Sequence, residues 1–193
     1  LQNWQLRVIW AVFMDMGAIT PPAGYDGARY VEETAEAVEA KESQIMPRLF
    51  GTDGVRGLAN RYLTARLALD LGDAAVRVLG NSAVREGLPE GRRRALIGRD
   101  TRVSGDFLAS ALCAGMSAGG FDVIDAGIIP TPGVAFLTSV LNVEMGAVIS
   151  ASHNPMPDNG IKFFAHGGFK LPDSKEDDIE AVLGQDWDRP TGA

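Results

Sequence analysis

The residues best suited to chemistry lie in Ile149-Ser150-Ala151-Ser152-His153-Asn154-Pro155. Here a continuous apolar run delivers a serine to its C-terminal end, and Ser-His-Asn-Pro then breaks the run. In open α/β sheets, ligands collect at the C-terminal strand edge. A turn there can aim successive backbone N–H groups at an anion, as in a phosphate nest. A Ser-His nucleophile and base is the obvious competing chemistry. On an extended segment, however, adjacent side chains point to opposite faces, so His153 is expected to be badly placed to deprotonate Ser152. No G-x-S-x-G elbow occurs, which argues against serine-hydrolase chemistry. Without any chemistry, the same residues read as an Asx-type turn at a strand end.

Two further segments bear on the first. In Phe50-Gly51-Thr52-Asp53-Gly54-Val55-Arg56-Gly57, glycines surround Asp53 and Arg56. Glycine permits tight turns and close approach to a ligand, and the Arg56 fork suits a phosphate or a neighbouring carboxylate. A Gly-rich surface loop with a structural salt bridge is the plain alternative. No G-x-x-x-x-G-K-[ST] P-loop is present. In Gly98-Arg99-Asp100-Thr101-Arg102-Val103-Ser104-Gly105, a strand gives way to a helix. There Arg99 and Asp100 are expected to form a buried ion pair, with direct phosphate contact the minor reading.

Alternating elements must position these segments. Thr64 can cap a helix from Ala65 to about Gly80, with Leu67, Leu71, Ala74, Ala75 and Val78 on its apolar stripe. Ala95–Gly98 reads as a strand. Ser104 then caps a helix through Leu108, Leu112 and Met116 that stops at Gly119-Gly120. A strand at Phe121–Asp125, a Gly127/Pro130/Pro132 loop and a helix over about Gly133–Leu141 follow. Gly146–Ser150 is apolar throughout, as for a strand covered on both faces. Asp158-Asn159-Gly160 signals a turn before a strand at Ile161–Ala165, and a last helix spans about Asp173–Leu183. The pattern predicts a three-layer α/β/α domain with a mixed, mostly parallel sheet.

Composition narrows the class. The 193 residues are 46% hydrophobic and 22% charged, as in an ordinary globular protein with room for a core. Residues 1–45 hold three basic and seven acidic side chains, whereas the rest holds fifteen and eighteen. The basic triplet Arg92-Arg93-Arg94 reads as a solvated loop, and nucleic-acid binding is not expected. One cysteine, Cys113, cannot form an internal disulfide, and in its apolar helical pattern it reads as a buried small hydrophobe. The apolar run Val8–Met14 is too short to span a bilayer and lacks a signal-peptide n-region, so a cytoplasmic protein is inferred. Residues 1–45 read as an extension with a weak acidic helix at 28–42, residues 46–185 as the domain, and 186–193 as a truncated linker or tail.

In combination, Leu49–Gly57, Ile149–Pro155 and Asp158-Asn159-Gly160-Ile161-Lys162-Phe163-Phe164 resemble the alpha-D-phosphohexomutase superfamily, and within it the phosphoglucosamine mutases. The resemblance runs from Met46 to about Leu183. It implies domain I of that fold, with Ser152 matching a serine carried as phosphoserine. That serine gives its phosphoryl group to a sugar phosphate, and the bisphosphorylated sugar reorients and returns the other one. The net reaction interconverts glucosamine 6-phosphate and glucosamine 1-phosphate, on the way to UDP-N-acetylglucosamine. Mg²⁺ bridges the phosphoryl oxygens in the family, and glucosamine 1,6-bisphosphate or a similar compound acts as the phosphorylating activator. Lys162, Arg56 and His153 match positions near the reacting group, and Arg56, Asn154 and Lys162 match phosphate- or substrate-binding ones. Lys162 is favoured as base, since lysine enclosed beside other cations is tuned towards neutrality; a solvated strand lysine is the alternative.

The same resemblance sets limits. Complete members have four domains, and the second supplies an aspartate loop of D-x-D-x-D type that holds the metal. That spacing is absent here, so the metal is expected to meet Ser152 only through its phosphate. The chain alone is expected to be nearly inactive, to need the enzyme's other domains, and to self-associate weakly through surface they would cover. Two other readings remain: a phosphomannomutase or phosphoglucomutase domain, and an interaction module that keeps the fold without the chemistry.

Overall fold

The computed structural model describes residues 48–80 and 93–191, all within or adjoining a compact unit from Leu49 to Ala193. The expected extension at 1–45, its acidic helix and Arg92 lie outside the described residues. Among the described residues, five strands form one sheet: β1 (Val55–Leu58), β2 (Arg94–Arg99), β3 (Asp122–Ile128), β4 (Met145–Ile149) and β5 (Asp158–Ala165). Their spatial order is β1-β5-β4-β2-β3. Strand β2 runs parallel to β3 and β4, whereas β5 is antiparallel to β4 and β1. The sheet is therefore mixed.

Strand alternation divides the core into two layers. Ala95, Ile97, Met145, Ala147, Ile149, Ile161 and Phe163 face helices α1 (Ala65–Gly80), α2 (Gly105–Ala118) and α4 (Asp173–Val182). Leu96, Val148 and Phe164 point the other way, into a smaller cluster with Val134 of helix α3 (Thr131–Val140). All five residues of β4 are buried, as its unbroken apolar sequence requires when both faces are covered. The three layers expected from the sequence are present.

Helices α1 and α2 pack closely because each presents a glycine to the other's backbone. A Cβ on Gly72 would stand 2.5 Å from Leu112 O, and one on Gly115 would collide with Leu69 O. That approach completes the burial of Leu71, Leu108, Leu112 and Met116, worth about 1.5–3 kcal/mol per side chain. Thr64 caps α1 as expected, its Oγ1 accepting from Leu67 N–H at 3.1 Å. Helix α3 begins at Thr131 and takes Pro132 into its first turn, where the missing N–H has no partner to lose.

Three expectations are corrected. Ser104 precedes α2 but makes no side-chain cap; its hydroxyl accepts instead from Asn159 Nδ2 at 2.9 Å. Asp158-Asn159-Gly160 is not a turn before the strand but the start of β5, paired with Leu58, Gly57 and Arg56. Asn159 is fully buried, its Oδ1 accepting from Gly160 N–H, so side-chain bonds satisfy groups that a turn would have left to water. The glycine-rich segment at 50–57 is only partly loop, since Val55–Leu58 forms edge strand β1.

The tail packs against α1. Asp73 of α1 accepts from Trp187 Nε1 at 2.9 Å and from Arg189 Nε and Nη2 at 3.0 Å each. Arg77 and Arg189 each stand 5.9 Å from the Trp187 ring centroid. At the other end, the Glu180 carboxylate accepts from Leu49 N–H, tying the start of the domain to α4.

Candidate functional site: a serine turn at the end of β4

Ser152 stands three residues beyond β4, exposed, with φ +54. A non-glycine residue in that left-handed region costs on the order of 1 kcal/mol and must be held there by its surroundings. Arg102 does the holding. Its Nε donates to Asp100 Oδ2 (3.0 Å), Nη1 to Pro155 O (2.6 Å) and Asp158 O (2.9 Å), and Nη2 to Ser152 O (3.0 Å) and Asn154 O (2.8 Å). All five N–H donors of the guanidinium are thus used. The Arg102 side chain is only 5% exposed, so the arrangement resembles a core ion pair more than a surface one.

Asp100 acts from the other side. Its Oδ2 accepts from Ser150 Oγ at 2.7 Å, and Ser150 Oγ in turn accepts from Ser152 N–H at 3.1 Å. Both peptide groups of Ser152 are therefore fixed, one through Arg102 and one through Ser150. The expected Arg99–Asp100 pair is not formed: Asp100 pairs with Arg102, and Arg99 with Asp106 (3.0 Å) and Asp125 (3.1 Å). The residue that organises the turn, Arg102, does not stand out in the sequence. Its cue, a strand-end arginine two residues after an aspartate, does not reveal partners 50 to 56 positions away.

Two expectations about the turn change. The segment is bent, not extended, and His153 Nδ1 lies 3.4 Å from Ser152 Oγ, not on an opposite face. Nor does the turn offer Ser152 and Asn154 N–H to an anion, because they donate to Ser150 Oγ and Ala151 O.

The remaining candidates form a network beside the turn. Asn154 Nδ2 donates to Asp158 Oδ2 at 3.1 Å, and Asn154 Oδ1 faces Arg56 Nη1 at 3.5 Å. Asp53 lies between two cations, 3.4 Å from Arg56 Nη2 and 3.9 Å from Lys162 Nζ. These are long contacts, and buried Arg56 Nε makes no hydrogen bond. Nε is shut off from solvent, so it is Nη1 and Nη2, held only by these long contacts, that keep donor capacity for a compact anion. Gly54 (φ +83) allows this geometry, since a Cβ there would collide with Ile161 O on β5. The Lys162 side chain is 23% exposed and faces Asp53. The structure thus brings together Arg56, Asn154 and Lys162, and pairs Ser152 with His153.

A Mg²⁺ site is not complete in these elements. Among the described residues, no three His, Cys, Asp or Glu side chains converge to hold a metal ion. Asp53, Asp100 and Asp158 are each engaged by the neighbours just named. Cys113 is partly buried on a groove lined by Arg99, Asp106 and Asp125, away from these candidates. Burial pushes its thiol pKa up, with Asp125 adding and Arg99 opposing. Among the described residues, no helix is long and apolar enough to cross a membrane.

The family described as Phosphoglucomutase/phosphomannomutase, alpha/beta/alpha domain I matches residues 47–188. Over 148 residues the chain is 88% identical to the phosphoglucosamine mutase of Bifidobacterium longum (strain NCC 2705), covering 77% of this chain and 32% of that protein. It is 58% identical over 146 residues to the phosphoglucosamine mutase of Acidothermus cellulolyticus, covering 76% and 31%. Among solved structures, a putative phosphomannomutase from Thermus thermophilus superposes with TM-score 0.61 at 33% identity, over 71% of this chain and 30% of that one. The chain spans about a third of the length of the curated relatives it matches. Sequence and fold agree: the chain belongs to the phosphoglucomutase/phosphomannomutase family through its alpha/beta/alpha domain I.

Proposed function

We propose that this chain is the serine-bearing domain of a phosphoglucosamine mutase, and that Ser152 carries the phosphoryl group. The observation that supports this most is the exposed Ser152 hydroxyl, presented at positive φ on a turn held by a buried arginine. The 88% identity to a phosphoglucosamine mutase favours glucosamine phosphates over mannose or glucose phosphates as substrate. In the forward step the bond between Ser152 Oγ and phosphorus breaks as a sugar hydroxyl bonds to the phosphorus. The hydroxyl proton passes to a base, for which Lys162 is our first assignment and His153 the second, and Ser152 Oγ takes up a proton as it leaves, so that the serine ends as a hydroxyl. Arg56, through its weakly held Nη1 and Nη2, and Asn154 would orient the substrate phosphate.

The Mg²⁺ implied by the family resemblance would find one oxygen here, on the Ser152 phosphate, with its other ligands outside the described residues. Closure around the sugar calls on the two-thirds of the relatives' length that this chain does not match, so the chain alone is expected to turn over very slowly. Exposed Val103, Phe136 and Phe169 would favour weak self-association, detectable by light scattering across concentrations.

The test is a hybrid in which the 148 matching residues replace their counterpart in the B. longum enzyme. It should interconvert glucosamine 6-phosphate and glucosamine 1-phosphate, and Ser152→Ala should abolish that activity. A folded hybrid no more active than its Ser152→Ala form would reject the proposal.

A further inference from the structure

We infer that Arg102, Asp100 and Ser150 form a positioning unit that sets the attack geometry of Ser152, rather than merely filling the core beneath it. The inference rests on the serine-phosphoryl reading above and assigns that site a further set of residues. Arg102 takes the Ser152 carbonyl directly, and Ser150 takes the Ser152 N–H. Asp100 joins the two, accepting from Arg102 Nε and Ser150 Oγ through one oxygen, Oδ2. The backbone on both sides of the nucleophile is thus referred to a single carboxylate.

The other three Arg102 carbonyl bonds extend that reference to Asn154, Pro155 and Asp158. Asn154 faces Arg56, so the same unit sets the serine and one end of the proposed phosphate-binding network. A planar fork with five donors can do this, whereas a lysine, with three donors on one atom, cannot span the same carbonyls. None of the three side chains needs to touch the sugar. Reacting groups must align closely, and a misplacement of about 1 Å costs on the order of 100-fold in rate.

Two variants test the unit: Ser150→Ala, which removes only the relay hydroxyl, and Arg102→Lys, which keeps the charge but not the fork. In the hybrid enzyme each should lower kcat on the order of 10-fold to 100-fold. Ser150→Ala, which leaves the Asn154 bond intact, should keep KM for glucosamine 6-phosphate within about twofold, whereas Arg102→Lys should also raise it. In this chain itself, amide hydrogen exchange at 151–158 should accelerate in both variants, while α1 and α2 keep their protection. A core-filling role would instead lower protection throughout and leave kcat per folded molecule unchanged; that result overturns the inference. Faster loop exchange with unchanged kcat in an active hybrid overturns it as well. If the hybrid with Ser150 and Arg102 intact is folded but inactive, the functional reading fails, and the exchange measurement still decides whether the unit orders the turn. Unchanged exchange in both variants would overturn that ordering role.

Discussion

Two irregular segments of this domain are each held by one buried ion, and the ions have opposite sign. Beneath the serine turn a cation, Arg102, gathers four main-chain carbonyls and a carboxylate. Under the tail an anion, Asp73, gathers an indole N–H and a guanidinium. The sign follows from what each segment leaves unpaired. A turn that leaves a strand end exposes several carbonyls in a small space, and only a multi-donor group can satisfy them. A tail that docks through tryptophan and arginine presents donors, which call for an acceptor. The charged partners differ more in exposure than the holding ions do: Asp100 is 27% exposed, whereas Arg189 is 42% exposed and water can replace part of its bond.

That contrast sets the sizes of the expected effects. Arg102→Met should be the most damaging, leaving Asp100 and four carbonyls without their donor. A loss of about 3–5 kcal/mol in denaturant titration would match the removal of one partner from a buried pair. Asp73→Asn should cost less, about 1–2 kcal/mol. It should also leave hydrogen exchange at 151–158 unchanged, because its partners Trp187 and Arg189 lie in the tail and not in the serine turn. Equal losses in the two variants, or faster turn exchange in Asp73→Asn, would break the distinction between the two clamps.

Thr64→Ala should cost about 1 kcal/mol through its lost cap. Ser104→Ala, at the start of the next helix, should act instead through the buried Asn159 amide it leaves without its partner. The smallest effect belongs to Cys113, which touches neither clamp. Because burial raises its folded pKa, its contribution to stability is constant below the unfolded thiol pKa and declines as pH rises through the folded one. Iodoacetamide should therefore modify the native chain slowly at neutral pH and faster only in the alkaline range. Rapid modification at pH 7 would contradict the burial described for it.

Local pattern made much of the frame legible. The α1 stripe, the Thr64 cap and the wholly apolar β4 depend on residues close in sequence, and the elements form where that pattern places them. The site is legible in part: Ser152, Arg56, Asn154 and Lys162 stand out by type and by family resemblance. What stays hidden depends on partners far along the chain. Edge strand β1 exists through its pairing with residues about 100 positions later, so Gly51-Thr52-Asp53-Gly54 dominates the local signal. The Asn159-Gly160 pair signals a turn, yet it lies in a strand, where the Asn159 side chain bonds to distant Ser104. Arg102 and Asp73 look like ordinary charged residues until the fold brings their partners to them.

The central claim is that Ser152 accepts and carries the phosphoryl group. It is tested most directly by incubating the hybrid enzyme with glucosamine 1,6-bisphosphate and Mg²⁺, then mapping phosphorylation by intact mass and peptide sequencing. One added phosphate, on Ser152 and absent from Ser152→Ala, is the expected result. A folded, unmodified hybrid, or one phosphorylated elsewhere while Ser152 stays free, would contradict it.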